Sequence, residues 1–136
     1  MNTPVNEYMN RTLVYVQEGD RPDCALRPML DLGITAVAVL DTNHRPVGMV
    51  TLRDLVDKDH LTKITEPAST VGELSTISIA AQIMGHTGYH HLIVTDGSGK
   101  AVGMISSMDV VRAFAGQPPH HPSTITKLSR ATDSRP

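Results

Sequence analysis

Aromatic residues are nearly absent from this sequence, which has three tyrosines, one phenylalanine and no tryptophan in 136 residues. The core must therefore be built from aliphatic side chains and methionine. The sequence also lacks the interleaved aromatic and basic residues that stack on and neutralise a nucleic acid strand. Because the net charge at pH 7 is −2 rather than strongly positive, we do not expect nucleic acid as a partner.

Cysteine is limited to Cys24, which excludes an internal disulfide and is typical of a reduced, cytoplasmic protein. We interpret Cys24 as a small core side chain. Neither it nor any serine has an evident base partner, so we expect no enzyme. Apolar runs stay well short of the roughly 20 residues that span a membrane, and the polar residues 1–10 do not fit a signal peptide.

Histidine is frequent, with seven residues, and this raises the question of a metal site. His90 and His91 are adjacent, and adjacent side chains of a strand point to opposite faces. His120 and His121 lie in a stretch rich in proline, serine and threonine. The sequence contains no His-Glu-x-x-His or paired-cysteine spacing, so we expect no dedicated metal site.

The sequence repeats itself without a gap at an offset of 55 positions, the distance from Ala25 to Ala80. Residues 23–56 align with residues 78–111. The identical positions include Met29 with Met84, Gly33 with Gly88, Asp41 with Asp96, Val47-Gly48-Met49 with Val102-Gly103-Met104, and Asp54 with Asp109. A unit of this size does not bury its apolar face alone. We therefore expect the two copies to pack together and to form two related clefts at their junction.

Each copy predicts the order strand, helix, strand, strand, helix. In the first copy, residues 13–16 form a short apolar strand and residues 25–32 follow helical spacing. Residues 36–40 are apolar throughout, which is typical of a strand covered on both faces, and residues 47–50 return as the second strand of a hairpin. The second copy repeats this order, so the predicted fold class is α/β (α+β).

Four residues predict where the first helix of each copy begins and ends. Asp20 is expected to cap the helix of the first copy, and Ser75 holds the matching place in the second. Pro28 is expected to kink or shorten the first of these helices. Gly33 is expected to end it.

The repeat also predicts the domain boundaries. The first unit covers residues 7–58, a linker covers residues 59–70, and the second unit covers residues 71–116. Residues 117–136 lack periodic apolar positions and are rich in proline, serine and threonine. We expect that final stretch to be disordered.

The ordered pattern resembles the CBS domain, named after cystathionine β-synthase, in the tandem form called a Bateman module. The resemblance covers residues 7–116 and is carried by two matching lines: Ala25-x-x-x-Met29, Gly33-Ile34, Val37-x-Val39-x-Asp41 and Val47-Gly48-Met49-Val50-Thr51-x-x-Asp54, then Ala80-x-x-x-Met84, Gly88-Tyr89, Leu92-x-Val94-x-Asp96 and Val102-Gly103-Met104-Ile105-Ser106-x-x-Asp109. It implies two repeats packed by pseudo-two-fold symmetry. It also implies regulatory binding of AMP, ADP, ATP or S-adenosylmethionine in the clefts between repeats, on behalf of an unidentified partner protein.

By this resemblance, Thr51 and Asp54 serve one ligand site, and Ser106 and Asp109 serve the other. A hydroxyl at a helix N-terminus suits a phosphate, and an ionised aspartate one turn later can accept hydrogen bonds from both ribose hydroxyls. The preceding glycine would leave room for the nucleotide. The same spacing is also typical of a capping box, in which the acid folds back on its own backbone, and both interpretations stay open at this point.

Positive charge for a phosphate is implied at His90 and His91 and, in the first repeat, at Arg53. The alternative for the two histidines is a solvated position at the start of a strand. Because imidazoles are only partly charged near neutrality, they favour AMP or ADP over ATP. An apolar slot for adenine is implied at Val14, Val16, Ile34 and Val37 in the first repeat and at Val71, Tyr89 and Leu92 in the second, and ordinary core is the alternative.

The competing function is an association module that has lost its ligand. CBS pairs commonly form flat dimers through their helical faces. Adaptable apolar contacts for such a homodimer are expected from Met29, Leu32, Met84, Met108 and Phe114.

Overall fold

The computed structural model describes residues 2–56, 68–121 and 123–131. The first repeat consists of β1 (Thr12–Gln17), α1 (Leu26–Leu32), β2 (Ala36–Leu40), β3 (Pro46–Thr51) and α2 (Leu52–Val56). The second consists of β4 (Thr70–Gly72), α3 (Ile77–Thr87), β5 (His91–Thr95), β6 (Ala101–Ser106) and α4 (Ser107–Phe114), and β7 (Lys127–Arg130) follows. The predicted α/β order of strand, helix, strand, strand, helix is confirmed in both repeats.

The strands form two sheets with the same internal arrangement. One sheet has the order β3-β2-β1-β7 and the other the order β4-β5-β6. In each repeat the first strand runs parallel to the second, and the second and third strands form an antiparallel hairpin. Val39 pairs with Gly48 as Val94 pairs with Gly103, and both hairpins have an irregularity directly after these pairs. The two hairpins therefore share the same hydrogen-bond register at equivalent positions.

Three apolar clusters hold the layers together. Each sheet packs its own helices against one face, giving one cluster per repeat. The third cluster joins the opposite faces of the two sheets and contains Leu13, Tyr15, Ala36, Ala38, Leu40, Ile93, Ala101 and Met104. Every residue of β2 is buried, because one face meets helices and the other meets the second repeat. This double coverage explains why the strand is apolar throughout rather than alternating.

The first helical segment is shortened as predicted. It begins with a 3-10 turn over Pro22–Ala25 and becomes α-helical only for the seven residues of α1, whereas α3 has eleven. Pro28 lies in the first turn of α1, where a backbone N–H has no partner within the helix. Gly33 follows the last helical residue with a φ of 66°, the left-handed conformation that glycine adopts most readily.

The two predicted caps are wrong. Thr76 caps α3, its hydroxyl accepting a hydrogen bond from the Ile79 N–H at 3.3 Å, because the helix starts one residue later than the match to Ser75 implied. Asp20 does not cap the first helical segment either. Its carboxylate accepts a hydrogen bond from the Gln17 N–H at 2.8 Å and binds Arg130.

The expected disorder of residues 117–136 is wrong for the part that the structure describes. β7 pairs in parallel with β1, from Thr12 opposite Lys127 to Tyr15 opposite Arg130. The strand reads Lys-Leu-Ser-Arg, and a short edge strand of this composition gains its structure from pairing rather than from a pattern of its own. The end of the first unit at 57–58, most of the predicted linker (59–67), and residues 122 and 132–136 lie outside the described residues.

The segment before β1 packs against the second repeat. Val5, Tyr8 and Met9 belong to that repeat's core cluster, and Asn10 exchanges two backbone hydrogen bonds with Met104, at 2.8 and 3.0 Å. A Cβ on Gly103 would lie 2.7 Å from the Asn10 carbonyl oxygen and 2.9 Å from the Met9 sulfur. Gly103 therefore makes room for the protein's own backbone, where the sequence suggested room for a nucleotide.

We predict that Gly103→Ala destabilises the protein by about 1–3 kcal/mol, because overpacking against a backbone atom cannot be relieved by a side-chain rotation. Gly97→Ala is the matched control: it lies in the β5–β6 turn, and no atom lies within 4 Å of the added Cβ. Urea denaturation of both variants checks this prediction. Equal midpoints for the two variants would contradict it.

Candidate functional site

In the described part of the chain, two cavities at the meeting of the repeats contain the predicted site residues, and they differ in size. The first, of about 760 Å³, lies between the β3–α2 turn of the first repeat and the residues leading into β5 of the second. Six of the predicted site residues line it, three from each repeat: Thr51, Arg53 and Asp54, and Tyr89, His90 and His91. The fold thus brings together residues that are 35 or more positions apart in the chain, as the interval from Asp54 to Tyr89 shows.

The second cavity, of about 190 Å³, contains the corresponding turn of the second repeat. Its lining includes the predicted residues Val14, Ile34, His91, Ser106 and Asp109. His91 therefore contributes to both cavities. His121 also lines the second cavity, although it comes from the stretch that the sequence predicted to be disordered.

Four predicted site residues line neither cavity. Val16 and Val37 are buried in the helix-facing cluster of the first repeat, and Val71 and Leu92 in that of the second. The described side chains around these four belong to the repeat cores, whereas Val14, Ile34 and Tyr89 line a cavity.

Both aspartates of the repeated motif form capping boxes with nearly identical geometry. Asp54 Oδ2 accepts a hydrogen bond from the Thr51 N–H at 2.8 Å, and Thr51 Oγ1 accepts one from the Asp54 N–H at 3.2 Å. The corresponding distances between Ser106 and Asp109 are 2.8 and 3.1 Å. A carboxylate offers about four lone pairs on two oxygens, so the cap uses only part of its hydrogen-bonding capacity.

The second oxygen of Asp109 is held by donors of the protein itself. Arg112 Nη1 donates to Asp109 Oδ1 at 3.4 Å, and His121 Nε2 lies 3.3 Å from the same atom. Asp109 is only 2% exposed, whereas Asp54 is half-buried and borders the larger cavity. No sequence signal pointed to His121, because its role depends on where the chain passes after α4.

Burial changes what the histidines of these cavities can do. It lowers the pKa of His91, and the neighbouring His90 lowers it further, while Asp109 raises it. Burial also lowers the pKa of His121 against the opposing effect of Asp109. Neutral rings are therefore favoured near pH 7. His91 is thus suited to hydrogen bonding, and among the described residues that line the first cavity the permanently charged cation is Arg53.

Comparison with known families bears directly on this duplicated geometry. The sequence profile of the CBS domain matches residues 5–61 and again residues 58–116. The chain belongs to the CBS domain family. Its two halves are consecutive CBS repeats, and the paired cavities lie where one CBS repeat meets the other.

Two curated relatives match most of this chain, and both are described as uncharacterized proteins. MJ0188 of Methanocaldococcus jannaschii is 28% identical over 120 residues, which cover 83% of this chain and 44% of that protein. YtoI of Bacillus subtilis is 31% identical over 106 residues, which cover 74% of this chain and 24% of YtoI. The CBS pair thus spans less than half the length of either relative.

Solved structures of CBS pairs show the same fold. CBSX2 in complex with AMP superposes with a TM-score of 0.73 at 24% identity, covering 84% of this chain and 97% of that one. The CBS pair of protein MJ0100, in complex with 5′-methylthioadenosine and S-adenosyl-L-methionine, superposes with a TM-score of 0.76 at 20% identity. That match covers 85% of this chain and 98% of the other. The predicted tandem arrangement is confirmed.

Two other site types are not found in the described ranges 2–56, 68–121 and 123–131. No group of three histidine, cysteine, aspartate or glutamate residues there is arranged to hold a metal ion. None of the helices in these ranges has the length and apolar character needed to cross a bilayer.

We predict that stability falls as the pH is lowered from about 7.5 to about 5.5, through the unperturbed histidine pKa of about 6.5. Because the pKa of His91 is lower in the folded state, the unfolded chain binds more protons in this range, and acidification favours unfolding. Among the described residues, His90 and Asp109 act on the pKa of His91, and Arg53, Asp54 and His121 line the cavities that it borders.

His91→Gln should reduce this loss of stability, and urea midpoints at the two pH values provide the measurement. His86→Gln, on the exposed surface of α3, is the control and should leave the pH dependence unchanged. A wild-type midpoint that does not move with pH, or an equal effect of the two substitutions, would show that His91 is not the responsible group.

Proposed function

We propose that this CBS pair is a regulatory module that binds an adenosine-containing ligand in the first cavity. The observation that carries the proposal is that six motif residues from both repeats meet around one space of about 760 Å³. That volume lies in the range of about 300–1,000 Å³ typical of small-molecule sites. Ligands that contain adenosine are also present in the CBS pairs of CBSX2 and MJ0100 and in the MgtE cytosolic domain, which was solved with ATP.

The chemistry of the first cavity fits each part of such a ligand. Met49, Leu52 and Tyr89 offer apolar surface for the base. Asp54 is an acceptor for ribose hydroxyls, and a charged acceptor gives stronger hydrogen bonds than a neutral one. Arg53 supplies a planar cation that can bind a phosphate through two donors. A single arginine in the described lining suits a monophosphate or diphosphate better than a triphosphate.

Binding at the junction would act on the arrangement of the two repeats. A ligand that contacts both repeats favours the arrangement that brings Asp54 and Tyr89 closest to it. The resulting change in the populations of the two arrangements is limited by the difference in the ligand's affinity for them. The module would thereby report ligand concentration to a separate protein or to another part of a longer chain. This role requires binding and no chemical step.

Association is a second function that a specific observation supports. Leu32, Met108 and Phe114, three of the five residues predicted for a dimer face, are exposed, as are Val56 and Val111. Large apolar side chains that stay exposed are a common feature of protein interfaces. The other two predicted residues, Met29 and Met84, are buried in the repeat cores and are excluded from such a face. We propose a homodimer through the exposed sides of α2 and α4.

We predict that Arg53→Gln weakens AMP binding about 10- to 100-fold in isothermal titration, the equivalent of one charged hydrogen bond of about 1.5–3 kcal/mol. Arg21→Gln is the matched control, because Arg21 is exposed and pairs with Asp23 away from the cavity. It should bind AMP like the wild type. Absence of heat with AMP, ADP, ATP and S-adenosylmethionine, together with an unchanged melting temperature, would contradict the ligand proposal and leave association as the function.

We predict that Met108→Glu converts the dimer to a monomer, because it places a charge in an apolar interface. Leu74→Glu provides the control: Leu74 is also exposed but lies in the loop between β4 and α3. Sedimentation velocity distinguishes the two states. A monomeric wild type, or dissociation by both substitutions, would argue against this face.

A further inference from the structure

The chain continues past α4 along a defined path that crosses the second cavity. We call residues 117–121 and 123–131 the strap. At its start, the Tyr8 hydroxyl donates a hydrogen bond to the Gln117 carbonyl oxygen at 2.6 Å. His121 then reaches the wall of the second cavity, where its Nε2 lies 3.3 Å from Asp109 Oδ1. The strap thus leaves the second repeat directly over that repeat's ligand motif.

The far end of the strap is anchored on the first repeat. β7 extends the sheet beside β1, and Leu128 packs against the cluster that joins the two sheets. Arg130 binds the Asp20 carboxylate through two nitrogens, at 3.0 and 2.5 Å, and this contact lowers the pKa of Asp20. Ala131 is 4% exposed, and its N–H donates to the Tyr15 carbonyl oxygen at 2.7 Å.

The strap contacts one of the two cavities and not the described lining of the other. The capping boxes have the same geometry, so the repeated motif itself does not distinguish them. A strap residue, His121, lines the second cavity, while the described lining of the first contains none. The second cavity, at about 190 Å³, falls below the range of about 300–1,000 Å³ typical of small-molecule sites.

We propose that the strap occupies the second cleft as an internal substitute for a ligand, with His121 taking the Asp109 oxygen that a ribose would otherwise use. The CBS pair then binds one adenosine ligand, in the first cavity, and its second site opens only when the strap is released. The number of one bound ligand rests on the function proposed for the first cavity. The blocking of the second cavity by the strap does not rest on it. Because ligand and strap compete for one carboxylate, each weakens the other's binding by the same factor.

The test is the number of AMP molecules bound in isothermal titration. The wild type and His120→Ala, a change at the exposed neighbour of His121, should each bind one. The double variant His121→Ala/Arg130→Ala removes both the blocking contact and the anchor, and should bind two. Adding Asp109→Asn, which keeps an oxygen for the cap, should return the number to one. Two molecules bound by the wild type, or equal numbers bound by the wild type and the double variant, would overturn the proposal.

A thiol measurement shows independently whether the strap has been released. Cys24, the sole cysteine of the sequence, is partly buried, and its Sγ lies 3.7 Å from the Ala131 carbonyl oxygen. Its reaction with a thiol reagent should therefore be several-fold faster in the double variant than in the wild type or His120→Ala. An unchanged rate would mean that the strap does not cover Cys24, which contradicts the proposed anchoring.

The two proposals fail in different ways. A wild type that binds none of AMP, ADP, ATP and S-adenosylmethionine, combined with a double variant that binds one AMP molecule in an Asp109-dependent manner, overturns the function proposed for the first cavity and supports the strap. If the double variant reacts rapidly at Cys24 and still binds none of these ligands, both proposals are wrong.

Discussion

The rest of the structure depends on the apolar contact between the two sheets. Leu13, Leu40, Ile93 and Met104 belong to this cluster, together with Tyr15 and three alanines. Fully burying a leucine or isoleucine side chain stabilises the folded protein by about 1.5–3 kcal/mol. Separation of the repeats would expose several of these side chains and lose their contributions together. Because each sheet needs the other to cover its second face, the repeats are held together, and the clefts at their junction follow from that packing.

The capping boxes connect this architecture to binding. Backbone N–H groups at the starts of α2 and α4 orient Asp54 and Asp109 before any ligand arrives. An acceptor held in place by the fold loses less conformational entropy on binding than a mobile side chain does. Capping and ligand binding are therefore compatible uses of one carboxylate. In the second cleft, the same orientation presents Asp109 to His121.

The duplication and its consequences were predictable from sequence. The apolar run of β2, the turn after it and the glycine after α1 each have a local physical cause, so the order of elements followed from them. A motif match locates a residue in the chain but does not show which other residues its side chain meets, so the position of Val16 and Leu92 in the repeat cores was not predictable from it. The structure also places Val37 in the core of its repeat, while Ala36 and Ala38 beside it contact the other sheet.

The path of the strap was not predictable in this way. Lys127–Arg130 has no apolar periodicity, and its order comes from β1, more than a hundred positions earlier. The role of His121 likewise depends on its contact with Asp109, which Arg112 also contacts. Long-range pairing of polar segments leaves little local signal, because the stabilising partner is specified elsewhere in the chain. The feature that makes the two clefts differ is therefore the one least visible in the sequence.

The most direct test of the difference between the clefts is a crystal structure of the wild-type chain grown with saturating AMP. We predict one nucleotide in the first cavity, with its ribose on Asp54, and an intact contact between His121 and Asp109. A nucleotide bound to Asp109 with His121 displaced, while the first cavity is empty, would contradict this prediction.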